Sequence, residues 1–147
     1  MVVTELNSSS HSTTDKQAII VSNLFPSVKK SLCIACHNVN RLVTSNNTDT
    51  LDQIKIILES DNTTLDIYGV CESFLTKSVS DEFLNIDGYQ IVRKDRSYSH
   101  GGGLLLYIAN HFQFKRRFDL ESNIPCQIEI IWIELNLPGK SFLLCLY

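Results

Sequence analysis

Leu32-Cys33-Ile34-Ala35-Cys36 runs into His37-Asn38-Val39-Asn40, and further on Leu65-Asp66-Ile67-Tyr68-Gly69-Val70-Cys71 runs into Glu72. Each is an apolar stretch that ends on a polar side chain. Between them Leu51, Ile54, Ile57 and Leu58 recur at spacings of three and four, one apolar face of a helix over 51–60. Thr50 opens that helix with Gln53 at capping-box spacing, and Asp52 suits the positive helix end. The order predicts strand, helix, strand. Such a crossover makes the two strands parallel, and their C-terminal ends then share the sheet edge where open α/β sheets bind ligands. Asn38 and Glu72 are therefore expected at one site.

A chain of 147 residues with 44% apolar content is large enough for one globular domain with its own core. No apolar run is long enough to span a membrane, and Met1-Val2-Val3-Thr4-Glu5-Leu6 lacks the basic and apolar regions of a signal peptide. A cytoplasmic or nuclear protein, with no membrane partner, is the expectation. Without export, the five cysteines read as reduced thiols rather than a disulfide framework, and the acceptor patterns at Asn46 and Asn62 carry no weight. The net charge of −3 argues against a surface that grips nucleic acid all over, and leaves room for a local basic patch.

Residues 1–28 read as a disordered or weakly ordered tail: the polar stretch 7–14 has nothing to bury, and 18–21 is a short apolar patch closed by Pro26. Residues 29–147 carry the domain. The first strand covers 32–38 and the second 65–71. Asp87-Gly88 signals a turn, 89–92 and 104–108 read as a hairpin around a long, partly basic loop, and 112–118, 127–135 and 142–147 read as further strands, the last two joined by a Pro138-Gly139 turn. The class is α/β (α+β), a βαβ start followed by an antiparallel meander. The apolar finish at 142–147 predicts a domain that stops short at its C-terminus.

Cys33-Ile34-Ala35-Cys36-His37 matches the haem-attachment pattern, but a strand sends residues three apart to opposite faces, so no haem is expected. Gly139-Lys140-Ser141 resembles the end of a P-loop, yet Glu134 stands where the first glycine belongs. The glycines at 101–103 suit either close approach to a phosphate or a bulged strand opening. Arg93, Lys94 and Arg96 in one loop, and Lys115, Arg116 and Arg117 in another, suit either a phosphate backbone or plain solvation. Glu72 ends a buried run, which is costly unless the carboxylate is solvated, paired or bound to a metal; a turn-capping role fits it equally well. With the Asn38 amide it would suit Mg²⁺, which keeps waters and coordinates phosphate.

Taken in order, these segments resemble the endonuclease/exonuclease/phosphatase superfamily, the DNase-I-like fold, and are most similar to the endonuclease domain of non-LTR (LINE-type) retrotransposons. His37-Asn38-Val39-Asn40-Arg41-Leu42 resembles the first motif, with its catalytic Asn. Gly69-Val70-Cys71-Glu72-Ser73-Phe74-Leu75 resembles the second, whose Glu binds the metal. Leu84-Asn85-Ile86-Asp87-Gly88-Tyr89, Arg93-Lys94-Asp95-Arg96, His100-Gly101-Gly102-Gly103-Leu104 and Ile131-Trp132-Ile133-Glu134 resemble the segments that follow, and Tyr147 falls where the family has a Tyr on the substrate phosphate.

The resemblance implies the N-terminal portion of a four-layer α/β sandwich. It also implies a Mg²⁺-dependent phosphodiesterase, Mn²⁺ being an alternative ion, that nicks DNA for retrotransposition. Asn38, Glu72 and Tyr147 would be catalytic, Glu72 and Asn40 metal-binding, and Arg93, Lys94, Arg96, Lys115, Arg116 and Arg117 would hold the DNA backbone. Asn40 departs from the acidic or small residue usual at its position. The family's Asp-x-Asn and Ser-Asp-His motifs do not occur, and none of His11, His37, His100 or His111 lies in one. The second sheet of the sandwich is expected to be missing and the chain to be inactive alone. A non-catalytic remnant, or a phosphoesterase of the same superfamily acting on a lipid or inositol phosphate, are the alternatives.

Overall fold

In a computed structural model, residues 1–5, 20–21, 32–44, 48–60, 63, 65–95, 101–121 and 128–147 are described. They form two sheets flanked by short helices. The strands are β1 (Val2–Glu5), β2 (Ile20–Val21), β3 (Leu32–Asn38), β4 (Ile67–Cys71), β5 (Tyr89–Lys94), β6 (Leu104–Ala109), β7 (Gln113–Arg116), β8 (Ile131–Leu137) and β9 (Lys140–Leu146). The helices are α1 (Asp49–Glu59), α2 (Asp81–Leu84) and α3 (Phe118–Glu121). The class is mixed α and β. Among the described residues no helix is long and apolar enough to cross a membrane.

The first sheet runs β2-β3-β4-β6-β5. β3 and β4 are parallel, from Ile34 opposite Ile67 to Asn38 opposite Cys71, as the crossover requires. α1 supplies that crossover and buries Leu51, Ile54 and Leu58. Two details of the helix differ from expectation. It begins at Asp49 after Thr48, and the Thr48 hydroxyl donates to Asp52 Oδ2 at 2.6 Å, so no Thr50–Gln53 box forms. Ile57 is 46% exposed, because the buried stripe follows Leu51, Ile54 and Leu58 and turns Ile57 outward.

β6 inserts between β4 and β5, so the later strand of the β5–β6 hairpin is the inner one. It is buried along its whole length, which explains its unbroken apolar run.

The meander divides. Strands β7, β8 and β9 leave the first sheet and pair antiparallel with one another, with β1 added beside β9 to give the order β1-β9-β8-β7. This corrects the expectation of a missing second sheet. Within the stretch read as a tail, two short pieces are strands: Val2–Glu5 pair with β9, Val2 opposite Cys145 and Glu5 opposite Phe142, and Ile20–Val21 pair with β3. A strand edge left open by β9 recruits the N-terminal residues, since unpaired backbone groups beside a core are costly. The stretch expected as a strand over 112–118 is shorter, Gln113–Arg116, and turns into α3. The polar stretch 7–14, His11, Asn46, Asn62, Arg96 and His100 lie outside the described residues.

The two sheets share one core: Ile67, Val70, Leu105 and Tyr107 of the first join Ile131, Ile133, Phe142 and Leu144 of the second. Gly69 shows where they meet. A β-carbon there would lie 2.9 Å from Met1 Cε and 3.1 Å from Leu146 Cδ1. The absent side chain lets β9 pass close to the middle of β4.

Candidate functional site

The site lies where β3 and β4 end. Asn38 is level with Cys71, Cys71 with Leu104, and Leu104 with Lys94, so one row of residues crosses four strands at this edge. Beyond it the chain does not diverge. Val39 N–H donates to Cys71 O (3.0 Å), Arg41 N–H to Glu72 O (2.7 Å) and Leu42 N–H to Ser73 O (2.9 Å), so the loop after β3 continues alongside the one after β4. On the far side Ser73 N–H donates to Gly103 O at 3.0 Å and Phe74 N–H to Gly102 O at 2.8 Å. Three loops are thus laced together by backbone hydrogen bonds.

That lacing imposes unusual backbone angles. Among the described residues, the non-glycine residues with positive φ are Asn40 (45°), Arg41 (93°), Glu72 (55°) and Phe74 (55°), all at this edge. Gly101, Gly102 and Gly103 join them, at 93°, 83° and 90°. Each left-handed non-glycine residue costs on the order of 1–3 kcal/mol, and such strain persists where surrounding structure over-determines it, characteristically at functional sites.

Glu72 is half-buried. Its Oε2 accepts the Gly102 N–H at 2.7 Å, so one carboxylate oxygen is fixed. Asn38 is exposed, and its Oδ1 accepts Asn40 N–H at 3.2 Å. Tyr147 reaches the same edge: its carbonyl accepts the Cys71 thiol hydrogen bond at 3.6 Å, and the residue is 63% exposed. The structure therefore brings together Asn38, Asn40, Glu72 and Tyr147.

Sequence reasoning missed three neighbours. The Arg41 guanidinium lies 4.7 Å from the centroid of the Phe74 ring, a cation–π pair beside Glu72. Glu129 Oε2 accepts the N–H of Gly103, a second carboxylate against the same glycine stretch. The Cys36 and Cys71 sulfurs lie 3.6 Å apart. The hydrogen bond between them pulls the Cys36 thiol down to about 7, and the same pairing, with burial, pushes Cys71 up. Cys36 is exposed and Cys33 half-buried, so neither is a core thiol.

The basic residues are placed differently from a free basic patch. Arg93 donates to Asp95 (2.8 and 2.6 Å), Asp81 (2.9 Å) and the carbonyls of Val79 and Thr76 (both 2.8 Å). Asp95, foremost, holds it above the usual arginine range. Arg116 makes a fork with Glu121 (3.0 Å on each arm) and donates to Arg93 O at 3.0 Å. Arg117 pairs with Asp119 and Glu134. Lys94 Nζ donates to Ile130 O at 3.2 Å and lies 3.9 Å from Glu121. These four are engaged inside the molecule, and Arg116 and Lys94 tie one sheet to the other. Lys115 is exposed on β7.

Among the described residues no group of three or more His, Cys, Asp or Glu is gathered as a metal cage. One fixed carboxylate with two amides suits an ion that keeps much of its water, as Mg²⁺ does, rather than a dehydrated, all-protein site. No family model and no curated protein matches the chain.

Proposed function

We propose that this edge is the phosphate- and metal-binding half of a metal-assisted phosphodiesterase of the DNase-I-like kind, acting on DNA. The observation that carries the proposal is the meeting of Asn38 and Glu72 on a backbone whose left-handed residues are concentrated there. The parallel β3–β4 pair and the two sheets sharing a core are consistent with that fold.

Glu72 would hold the Mg²⁺ (or Mn²⁺) through the oxygen that Gly102 leaves open, with Asn40 beside it. When bound, the ion supplies positive charge at the phosphate and the leaving oxygen. The chain's own residues do the rest. The Asn38 amide can orient a phosphate oxygen. The Arg41 guanidinium, over the Phe74 ring, offers a planar donor group to the same phosphate. Tyr147, exposed at the same edge, would bring its hydroxyl to that phosphate. A base to activate water is a separate requirement, and the sequence contains neither Asp-x-Asn nor Ser-Asp-His. Binding without turnover is therefore the expected behaviour. The same absence favours the second reading, a phosphate-binding module that performs no chemistry.

The test is a Mn²⁺ titration followed by paramagnetic resonance, run beside plasmid nicking. The chain should bind the ion, Glu72→Gln should weaken it by about tenfold or more, and neither should nick DNA. No binding by the unaltered chain would overturn the site. Mg²⁺-dependent nicking would overturn the claim that the catalytic set is incomplete.

A further inference from the structure

Cys36 and Cys71 stand on adjacent parallel strands. Cys36 is level with Gly69 and Cys71 with Asn38, so the two cysteines are diagonal neighbours on one face. Gly69 has no side chain to separate them, and a β-carbon there would lie 3.5 Å from Cys36 Sγ. The sulfurs are 3.6 Å apart, and Cys36 is exposed, so a small reagent reaches the pair from solvent. The nearer pair in sequence, Cys33 and Cys36, is split across the two faces of β3, and Cys145 is buried in β9.

We propose that Cys36 and Cys71 are a hydroperoxide-responsive dithiol that closes to a disulfide across β3 and β4. Contact must shorten by roughly 1.5 Å to reach the S–S bond length of about 2.05 Å, a change that side-chain rotation can supply. Cys36, the exposed member, attacks one oxygen of the peroxide. The O–O bond breaks, a sulfenic acid forms on Cys36, and the other oxygen leaves as water after taking up the thiol proton. The Cys71 sulfur then attacks the Cys36 sulfur, the S–S bond forms, the S–O bond breaks, and a second water leaves. The two sulfurs lose two electrons in all, both to the peroxide. A small dithiol reverses the step by exchange.

Closure pulls on Cys71, the residue before Glu72, whose φ is already 55°. It also tethers the strand that carries Asn38. The oxidation state of the pair is thereby transmitted to the position of Glu72, whatever that carboxylate binds.

The reduced full chain is treated with stoichiometric hydrogen peroxide, alkylated with iodoacetamide under denaturing conditions and digested for mass spectrometry. Two of the five thiols should escape alkylation, in a peptide pair joined through Cys36 and Cys71, and dithiothreitol should restore both. Cys33→Ser should give the same product. Cys71→Ala should instead leave a dimedone-reactive sulfenic acid on Cys36. Alkylation of all five thiols, or a bridge through Cys33, would overturn the proposal. Amide NMR of the oxidised chain should show shifts at Asn40, Arg41, Glu72 and Phe74. Unmoved signals there would overturn the transmission to Glu72.

Discussion

Gly103 shows how narrowly single residues are constrained at this edge. Its φ is +90°, and a β-carbon would lie 2.6 Å from Ser73 Oγ, itself fully buried. Gly139 has a similar φ of +79° with nothing within 4 Å. The pair separates two costs. Gly139→Ala should lose only the backbone share, about 1 kcal/mol, and Gly103→Ala should lose that plus the displacement of Ser73, about 3 kcal/mol in all. Urea midpoints at unchanged slope would measure both. Equal losses would mean that Ser73 gives way freely and the edge is looser than its hydrogen bonds suggest. Cysteine pairing also lives at this scale and was not readable from spacing: a strand sends the two cysteines of the CxxC stretch to opposite faces, which excludes Cys33, but Cys36 meets Cys71 only because a parallel register sets them diagonally.

At the scale of elements, the parts read well from the sequence were those whose pattern is local. β3 has the expected bounds because its apolar run and its polar finish are adjacent in sequence. Asn38 and Glu72 could be placed together because a crossover fixes where parallel strands end. Sheet membership could not be read. Whether β7–β9 extend the first sheet or found a second depends on pairing between residues as distant as Val2 and Cys145. The basic loops were half legible: Asp95, Asp119 and Glu121 follow their arginines within a few residues, a charge pattern that marks internal pairing. Glu121 is the clearest case. Its side chain is 6% exposed, it holds Arg116 in a fork, and it accepts Trp132 N–H at 3.1 Å, joining α3 to β7 and β8. Glu121→Ala strands a largely buried guanidinium and should cost about 3 kcal/mol or more. Glu121→Leu with Arg116→Met should cost clearly less than the two single changes summed. Additive losses in that double-mutant cycle would show that the fork contributes nothing as a pair.

At the scale of the whole molecule, the question is whether two sheets behave as one unit. They bury each other's apolar faces in one core, and Lys94 and Arg116 cross between them. Heating should therefore give a single cooperative transition rather than one for each sheet. Alkali offers a way to load the sheets separately. Burial pushes the Cys145 thiol of the second sheet up to about 11. Burial likewise raises the Tyr107 hydroxyl of the first, which donates to Leu84 O at 2.9 Å. Both groups bind their proton more tightly folded than unfolded, so the unfolded state releases it first as pH rises. Their contribution is complete below the ordinary thiol and phenol values of about 8.5 and 10 and is lost as pH climbs through the raised values. The unfolding temperature should fall from about pH 8.5 upward, first through the raised thiols of Cys145 and Cys71 and then through Tyr107. Cys145→Ala should lessen the early part of that fall, the remainder coming from Cys71, and leave the later part. If the sheets are one unit, both parts lower the same transition. Calorimetry that resolves two transitions above pH 9, with Cys145→Ala sparing only one of them, would show that the shared core does not couple the sheets.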